Sequence, residues 1–197
     1  VPVLGSFGAL SSRAFGFGAG AASTLSPTDK AAGITLSNGN LTATNTSGTV
    51  SNVRSTTSRG SGSYHVEFAI VNTGGRPSYP APGFGNGSAS LTLDMGQDAN
   101  SCSYDRSGAV FYNGVNLGAV DAFTSGAVLA LEIALGTSQL WVQLLGGTGR
   151  KGPFSVSGLS TPIFVMVGTK GLGEAVTVNF GAAPFSITPT SGFSPWG

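Results

Sequence analysis

From Ile34 onward strand signals are regular, several segments alternating apolar and polar positions with a period of two, and nothing reads as a helix. Tyr64, Val66, Phe68 and Ile70 alternate with Ser63, His65, Glu67 and Ala69, which predicts a strand with one face inward. Two Asn-Gly pairs mark hairpins, because both residues tolerate the positive φ that a tight two-residue turn needs. Ile34–Ser37 and Leu41–Thr44 flank Asn38-Gly39, and Val110–Tyr112 and Val115–Val120 flank Asn113-Gly114. Val128–Leu135 and Leu140–Leu145 are nearly continuous apolar runs separated by Gly136-Thr137-Ser138, so both strands are expected to be covered on their two faces. The stretch Pro162 to Phe185 reads as two strands joined by a glycine-rich turn. Ile163–Val167 is apolar on both faces, while Val176, Val178 and Phe180 alternate with Thr177 and Asn179, which places a buried strand beside a half-buried one. Turn signals recur about every eight to twelve residues, the spacing of an antiparallel β-sandwich of roughly ten or more strands.

Composition narrows the function. Only 9% of the 197 residues are charged, 32 are glycine and the formal net charge is +1. A charge balance of this kind supplies no basic field for nucleic acid and no acidic tail, so partners must be chosen by shape and local groups. No apolar run approaches the roughly 20 residues of a membrane-spanning helix, and membrane insertion is not expected. Cys102 is the only cysteine and reads as a small buried filler; His65 is the only histidine. Residues 1–30 lack both periods and carry Phe7, Phe15 and Phe17 among Gly, Ala and Ser. The segment has the Ala-Gly-Ala-Ala ending of a leader but no basic start, and Arg13 sits inside its apolar part. It reads as an extended arm that must pack on its own domain or on another subunit. The expected organisation is an arm over 1–30, a sandwich over 31–193 and a tail over 194–197.

Four segments taken in order resemble the SPRY domain, a concanavalin A-like β-sandwich of jelly-roll type. They are Gly62–Phe68, Ser103–Gly114, Gly126–Val142 and Val176–Phe185, with Ile34–Thr44 suiting the family's opening hairpin. The chain departs from the family's pattern at Ala127 and Ala134, where an acid is common, and at Leu145-Gly146, where Asn-Gly is common. The resemblance implies a non-catalytic recognition or structural module whose loops meet partners. Similar domains occur in animal adaptor proteins and in bacteriophage proteins. Low charge, richness in Gly, Ser and Thr and the apolar arm match a virion structural or attachment component better than an adaptor. The expected partners are other subunits of a particle, reached through the arm, and a host-surface protein or glycan. The alternatives are an intracellular adaptor that grips a short peptide and a carbohydrate-binding module, with a secreted or cytoplasmic location.

The chemistry available is sparse. The glutamates Glu67, Glu132 and Glu174 sit on separate strands or turns, and no strand aims two acids at one face as a glycosidase requires. His65 and Glu67 share a strand face and read as a solvated or lightly paired couple. Asp94, Asp98 and Asp105 bracket a loop without EF-hand spacing and read as turn caps, so neither a metal nor a cofactor is expected. Binding is expected from loops, since a rigid sandwich can present them. The segments Ser51–Ser61 and Gly74–Gly87 contribute Arg54, Arg59, Arg76, Tyr79 and Phe84; Tyr104, Arg106 and Arg150 extend the same surface. Arginine and tyrosine deliver the most energy per contact at interfaces.

Overall fold

The computed structural model describes residues 22–197, so Phe7, Phe15, Phe17 and the larger part of the expected arm lie outside the described residues. The described residues form two antiparallel sheets and no helix. One sheet has seven strands, in the order β1 (Leu25–Lys30), β4 (Ser51–Arg59), β13 (Ile163–Thr169), β6 (Ala81–Asn86), β7 (Ser101–Tyr104), β8 (Ala109–Tyr112) and β9 (Val115–Ala119). The other runs β12 (Lys151–Ser155), β11 (Gln139–Leu144), β10 (Val128–Ala134), β5 (Ser63–Asn72), β14 (Ala175–Asn179), β3 (Thr42–Asn45) and β2 (Ile34–Ser37). A short β15 (Ser194–Pro195) joins this second sheet beside β5 in parallel, at Tyr64 and His65, beyond the last residue that β14 pairs.

The period-two pattern sorts residues to the two faces as expected. Val66, Phe68 and Ile70 of β5, with Leu129, Leu131 and Ile133 of β10, face Val165 and Val167 of β13, Phe84 of β6 and Val110 of β8 across one core. Both Asn-Gly turns adopt positive φ at both residues, 53° and 63° at Asn38-Gly39 and 51° and 72° at Asn113-Gly114. Gly83 is required for another reason: a Cβ there would lie 2.0 Å from the carbonyl oxygen of Cys102 on the neighbouring strand.

Three expectations are corrected. Strands β13 and β14 do not lie side by side, because they belong to opposite sheets. Residues 170–174 carry the chain across: Glu174 accepts the Lys170 amide at 2.6 Å, and Gly173 takes a positive φ of 78°. The sandwich also begins at Leu25 rather than residue 31. Pro27, Asp29 and Lys30 hide β1 from a pattern reading, yet Leu25 is fully buried and pairs with Ser55. Last, residues 194–197 are no loose tail. Trp196 is fully buried, its Nε1 donates to the Thr57 carbonyl (3.2 Å), and its ring meets Tyr64 and Phe84 with centroids 5.4 and 5.5 Å away. The first strand is tied to the same place, with Thr56 N donating to the Thr24 carbonyl at 2.7 Å.

Both outer sheet faces are partly roofed, which explains buried positions on the solvent side. Over the seven-stranded sheet, the segment after β6 is pinned by Asn52, whose Nδ2 donates to the Ser90 and Leu93 carbonyls at 2.9 and 2.8 Å. Arg54 donates to the carbonyls of Asn86, Gly87 and Ala89 and pairs with Asp29 at 2.6 Å. Ala89 and Met95 then close over Met166, so β13 is apolar on both faces as expected.

Candidate recognition cleft

The loop between β5 and β6, the roof segment and the outer face of β7–β9 enclose a cleft of about 420 Å³. That volume lies within the range of small-ligand and side-chain pockets. Phe111, Ser103 and Ala109 form part of its lining, because they are the outward members of an alternation whose inward members are Cys102, Val110 and Tyr112. Tyr79, Asp94 and Lys170 build one wall. The Tyr79 hydroxyl donates to Asp94 Oδ1 at 2.8 Å, and Lys170 Nζ holds both Asp94 oxygens at 3.1 and 3.0 Å. Burial, reinforced by Asp94, pushes the Tyr79 hydroxyl well above the ordinary phenol range, so it stays a donor.

The charges in this cleft are unequally committed. Asp94 is neutralised by Lys170. Asp105 Oδ1 accepts from Ser107 N, Ser107 Oγ and Ala109 N at 2.9, 2.6 and 3.1 Å, which spends it on the turn between β7 and β8. Glu174, fully buried behind the loop, accepts the Lys170 amide, and burial raises its carboxyl above the usual range despite that bond and the nearby Arg76 and Arg106. Arg76 lines the cleft, and Arg106 donates from Nη1 to the Arg76 carbonyl at 2.6 Å. Among the described residues neither guanidinium forms an ion pair. The cleft lining therefore holds one guanidinium without an ion pair, Arg76, over a partly apolar floor, and Arg106 is bonded to the Arg76 backbone beside it.

Of the residues expected to form a loop surface, the structure brings together Arg76, Tyr79 and Arg106. The others are dispersed, and several are internal. Arg54 is a buried clamp under the roof segment, while Phe84 and Tyr104 are core side chains, almost fully buried, with the Tyr104 hydroxyl donating to the Asp121 carbonyl. Residues 51–59 and 81–86 are strands rather than loops, and this is why their side chains point inward or under cover. Arg59 donates to the Trp196 carbonyl from Nε at 3.1 Å and from Nη2, and lies 5.0 Å over the Tyr64 ring. Arg150 belongs to the opposite sheet. The sequence reading missed Lys170 and Phe111, and it took Asp94 for a turn cap. Phe111 was readable from its outward parity; nothing local announces a pairing of Asp94 with Lys170 across 76 positions.

The expected solvated face around His65 and Glu67 is instead buried, because residues 182–193 fold over the eight-stranded sheet. Glu67 accepts the Ile187 amide at 2.5 Å and Glu132 the Thr190 amide at 2.7 Å. His65 Nδ1 lies 3.0 Å from Glu132 Oε1, and Arg150 Nε donates to Glu132 Oε2 at 2.6 Å while stacking 4.2 Å from the Trp141 ring. Burial alone would raise the Glu132 carboxyl; the bonds from His65, Thr190 and Arg150 outweigh it and hold the group down to about 2. The chain's only histidine is thus sealed beneath Phe185, 4.5 Å between centroids, on the sheet opposite the cleft. No Ser-His pair can form at the cleft.

Comparison with family models and with curated proteins gives no match. Solved structures do match. The SPRY domain of human HERC1 superposes with a TM-score of 0.67 at 18% identity, covering 78% of this chain and 96% of that one. A human SPRY domain gives 0.56 at 21%, covering 77% and 98%. The PSpry domain of TRIM65 gives 0.64 at 13%, covering 80% and 91%. The fold is SPRY-like. Within this SPRY-like sandwich the expected all-β, antiparallel jelly-roll architecture stands.

Proposed function

We propose that the chain is a non-catalytic recognition module that takes an acidic side chain of a partner polypeptide into the cleft beside β7–β9. The observation that carries this reading is Arg76, a cleft-lining guanidinium without an ion pair and flanked by Arg106, where Asp94 and Asp105 are already satisfied. A partner carboxylate would find the Arg76 guanidinium, with Arg106 next to it, together with Asn116 and the Phe111 ring. We place the module in a bacteriophage particle, as a structural or attachment component held through its N-terminal segment. Low charge, Gly/Ser/Thr richness and the three phenylalanines before residue 22 support that setting.

The binding reading is tested by fluorescence anisotropy with labelled peptides that differ only in Asp/Glu against Asn/Gln content. Acidic peptides should bind, and Arg76→Ala with Arg106→Ala should weaken them by about tenfold or more. Equal binding by the neutral set, or a response on a glycan array instead, would end it. The particle setting is tested by deleting residues 1–21, a cut that leaves the buried Leu25 in place. The shortened chain should stay folded and fail to incorporate. An adaptor acting alone in a cell would keep peptide binding with no dependence on that segment.

A further inference from the structure

We infer that the outer edge of β9 is a docking strand for residues 1–21 of a second copy of this chain. Sheet edges present unpaired backbone groups, and natural proteins guard them with prolines, charges or caps. Three of the four edges here carry a proline or a charged side chain. β1 carries Pro27, Asp29 and Lys30; β12 carries Lys151 and Pro153; at β2, Lys30 Nζ caps the Ile34 carbonyl at 2.6 Å. β9, Val-Asn-Leu-Gly-Ala, carries neither proline nor charge, its one side-chain cap is Asn116 Oδ1 on the Gly118 amide at 3.0 Å, and Val115 is 56% exposed. Apolar surface continues beside it: Leu117 and Phe154 are only partly buried, and Phe154 lies against Gly118 so closely that a Cβ there would meet its ring at 2.9 Å.

The occupant is argued from the chain that precedes the sandwich. Residues 1–21 hold one charge, Arg13, and place Phe15 and Phe17 two apart, so both can project from one side of a strand. Fully extended they span about 70 Å. They lead into β1, which is the opposite edge of the same seven-stranded sheet, so six inter-strand steps separate that point from β9, about 29 Å. A route across the sheet within one molecule meets the roof segment held by Asn52 and Arg54. A second copy lying beside β9 meets no such obstacle. The contact is then head-to-tail, each copy giving its leading segment and receiving another's at the far edge, which yields rings or filaments rather than a twofold dimer.

This deepens the assembly part of the function proposed above; β9 also borders the cleft, and the two readings are told apart because association, not peptide binding, is what is followed. The full 197-residue chain is followed by light scattering after size exclusion from about 1 to about 200 μM. Association should rise with concentration, and the double variant Val115→Lys/Ala119→Lys, both at exposed positions, should raise the half-assembly concentration on the order of tenfold or more with unchanged circular dichroism. A benzophenone side chain at Val115, mixed with ¹⁵N-labelled chain and irradiated, should join to residues 1–21 of the labelled copy. Variants that assemble like the parent, or adducts confined to a single copy, would overturn the docking site while leaving assembly itself standing. A parent chain that stays monomeric throughout would overturn both.

Discussion

Replacing Trp196 with alanine removes the side chain that closes one end of the sandwich. The indole is fully buried between the sheets, packed edge-on to Tyr64 from one side and tilted against Phe84 from the other. A buried indole takes roughly 150–250 Å² out of water, about 4–6 kcal/mol at ~25 cal/mol per Å². The denatured chain already hides part of that area, and alanine retains a little, which brings the burial loss to about 3–4 kcal/mol. Thr57 loses its indole donor in addition, about 1 kcal/mol, while the backbone bonds to His65 and Arg59 remain. The expected cost is therefore about 4 kcal/mol. With a urea slope of about 2 kcal/mol per M, equilibrium unfolding by intrinsic fluorescence or circular dichroism should shift its midpoint down by about 2 M. Trp196→Phe keeps a ring and should lose about half as much. A shift below about 0.5 M for the alanine variant would show that the residue is not part of the core, and that the last residues can peel away without opening the sheets.

Two further outcomes follow from the buried polar groups. The Glu132 carboxyl titrates near 2 in the fold against an ordinary 4.5, so its stabilising effect is complete above about 4.5 and disappears as the pH falls through about 2. The stability difference between the parent and Glu132→Gln, measured by urea melts at successive pH values, should shrink across that window; a constant difference would refute the bonded carboxylate. Burial pushes the Cys102 thiol up to about 12, so a thiol reagent at pH 8 should label the chain only at the rate at which it unfolds. Rapid labelling of the native protein would contradict the packing of β7.

Strands were legible wherever one face met the core, because parity along β5, β8 and β14 is a local property. Which strands become neighbours is not local. Ile163–Val167 and Val176–Phe180 carry the same parity whether they form a hairpin or sit in opposite sheets, and only the contacts around Glu174 distinguish the two. Burial on the outer faces was hidden for a similar reason. His65, Glu67 and Glu132 look like solvent positions until the amides of Ile187 and Thr190 arrive from more than fifty residues away. Arg54 shows the converse error, since an arginine in a Ser/Thr-rich stretch reads as surface although its guanidinium is spent on the roof carbonyls. Around the cleft, Arg76, Tyr79 and Arg106 were recognisable by residue type; the pairing of Asp94 with Lys170, which leaves Arg76 without an ion pair, was not.

Thr24 and Trp196 attach to consecutive residues of one strand, Thr56 and Thr57. The polypeptide therefore comes into the sandwich and goes out of it through the same small patch. Such a body can be carried within a loop of a larger polypeptide like a bead on a hairpin, with neither flank stretched. It also follows that, with residues 1–21 removed, joining Gly197 to Ala22 by a short linker and cutting the chain at an exposed turn, such as Asn38-Gly39, would alter the order of the strands in the chain and leave both sheets intact.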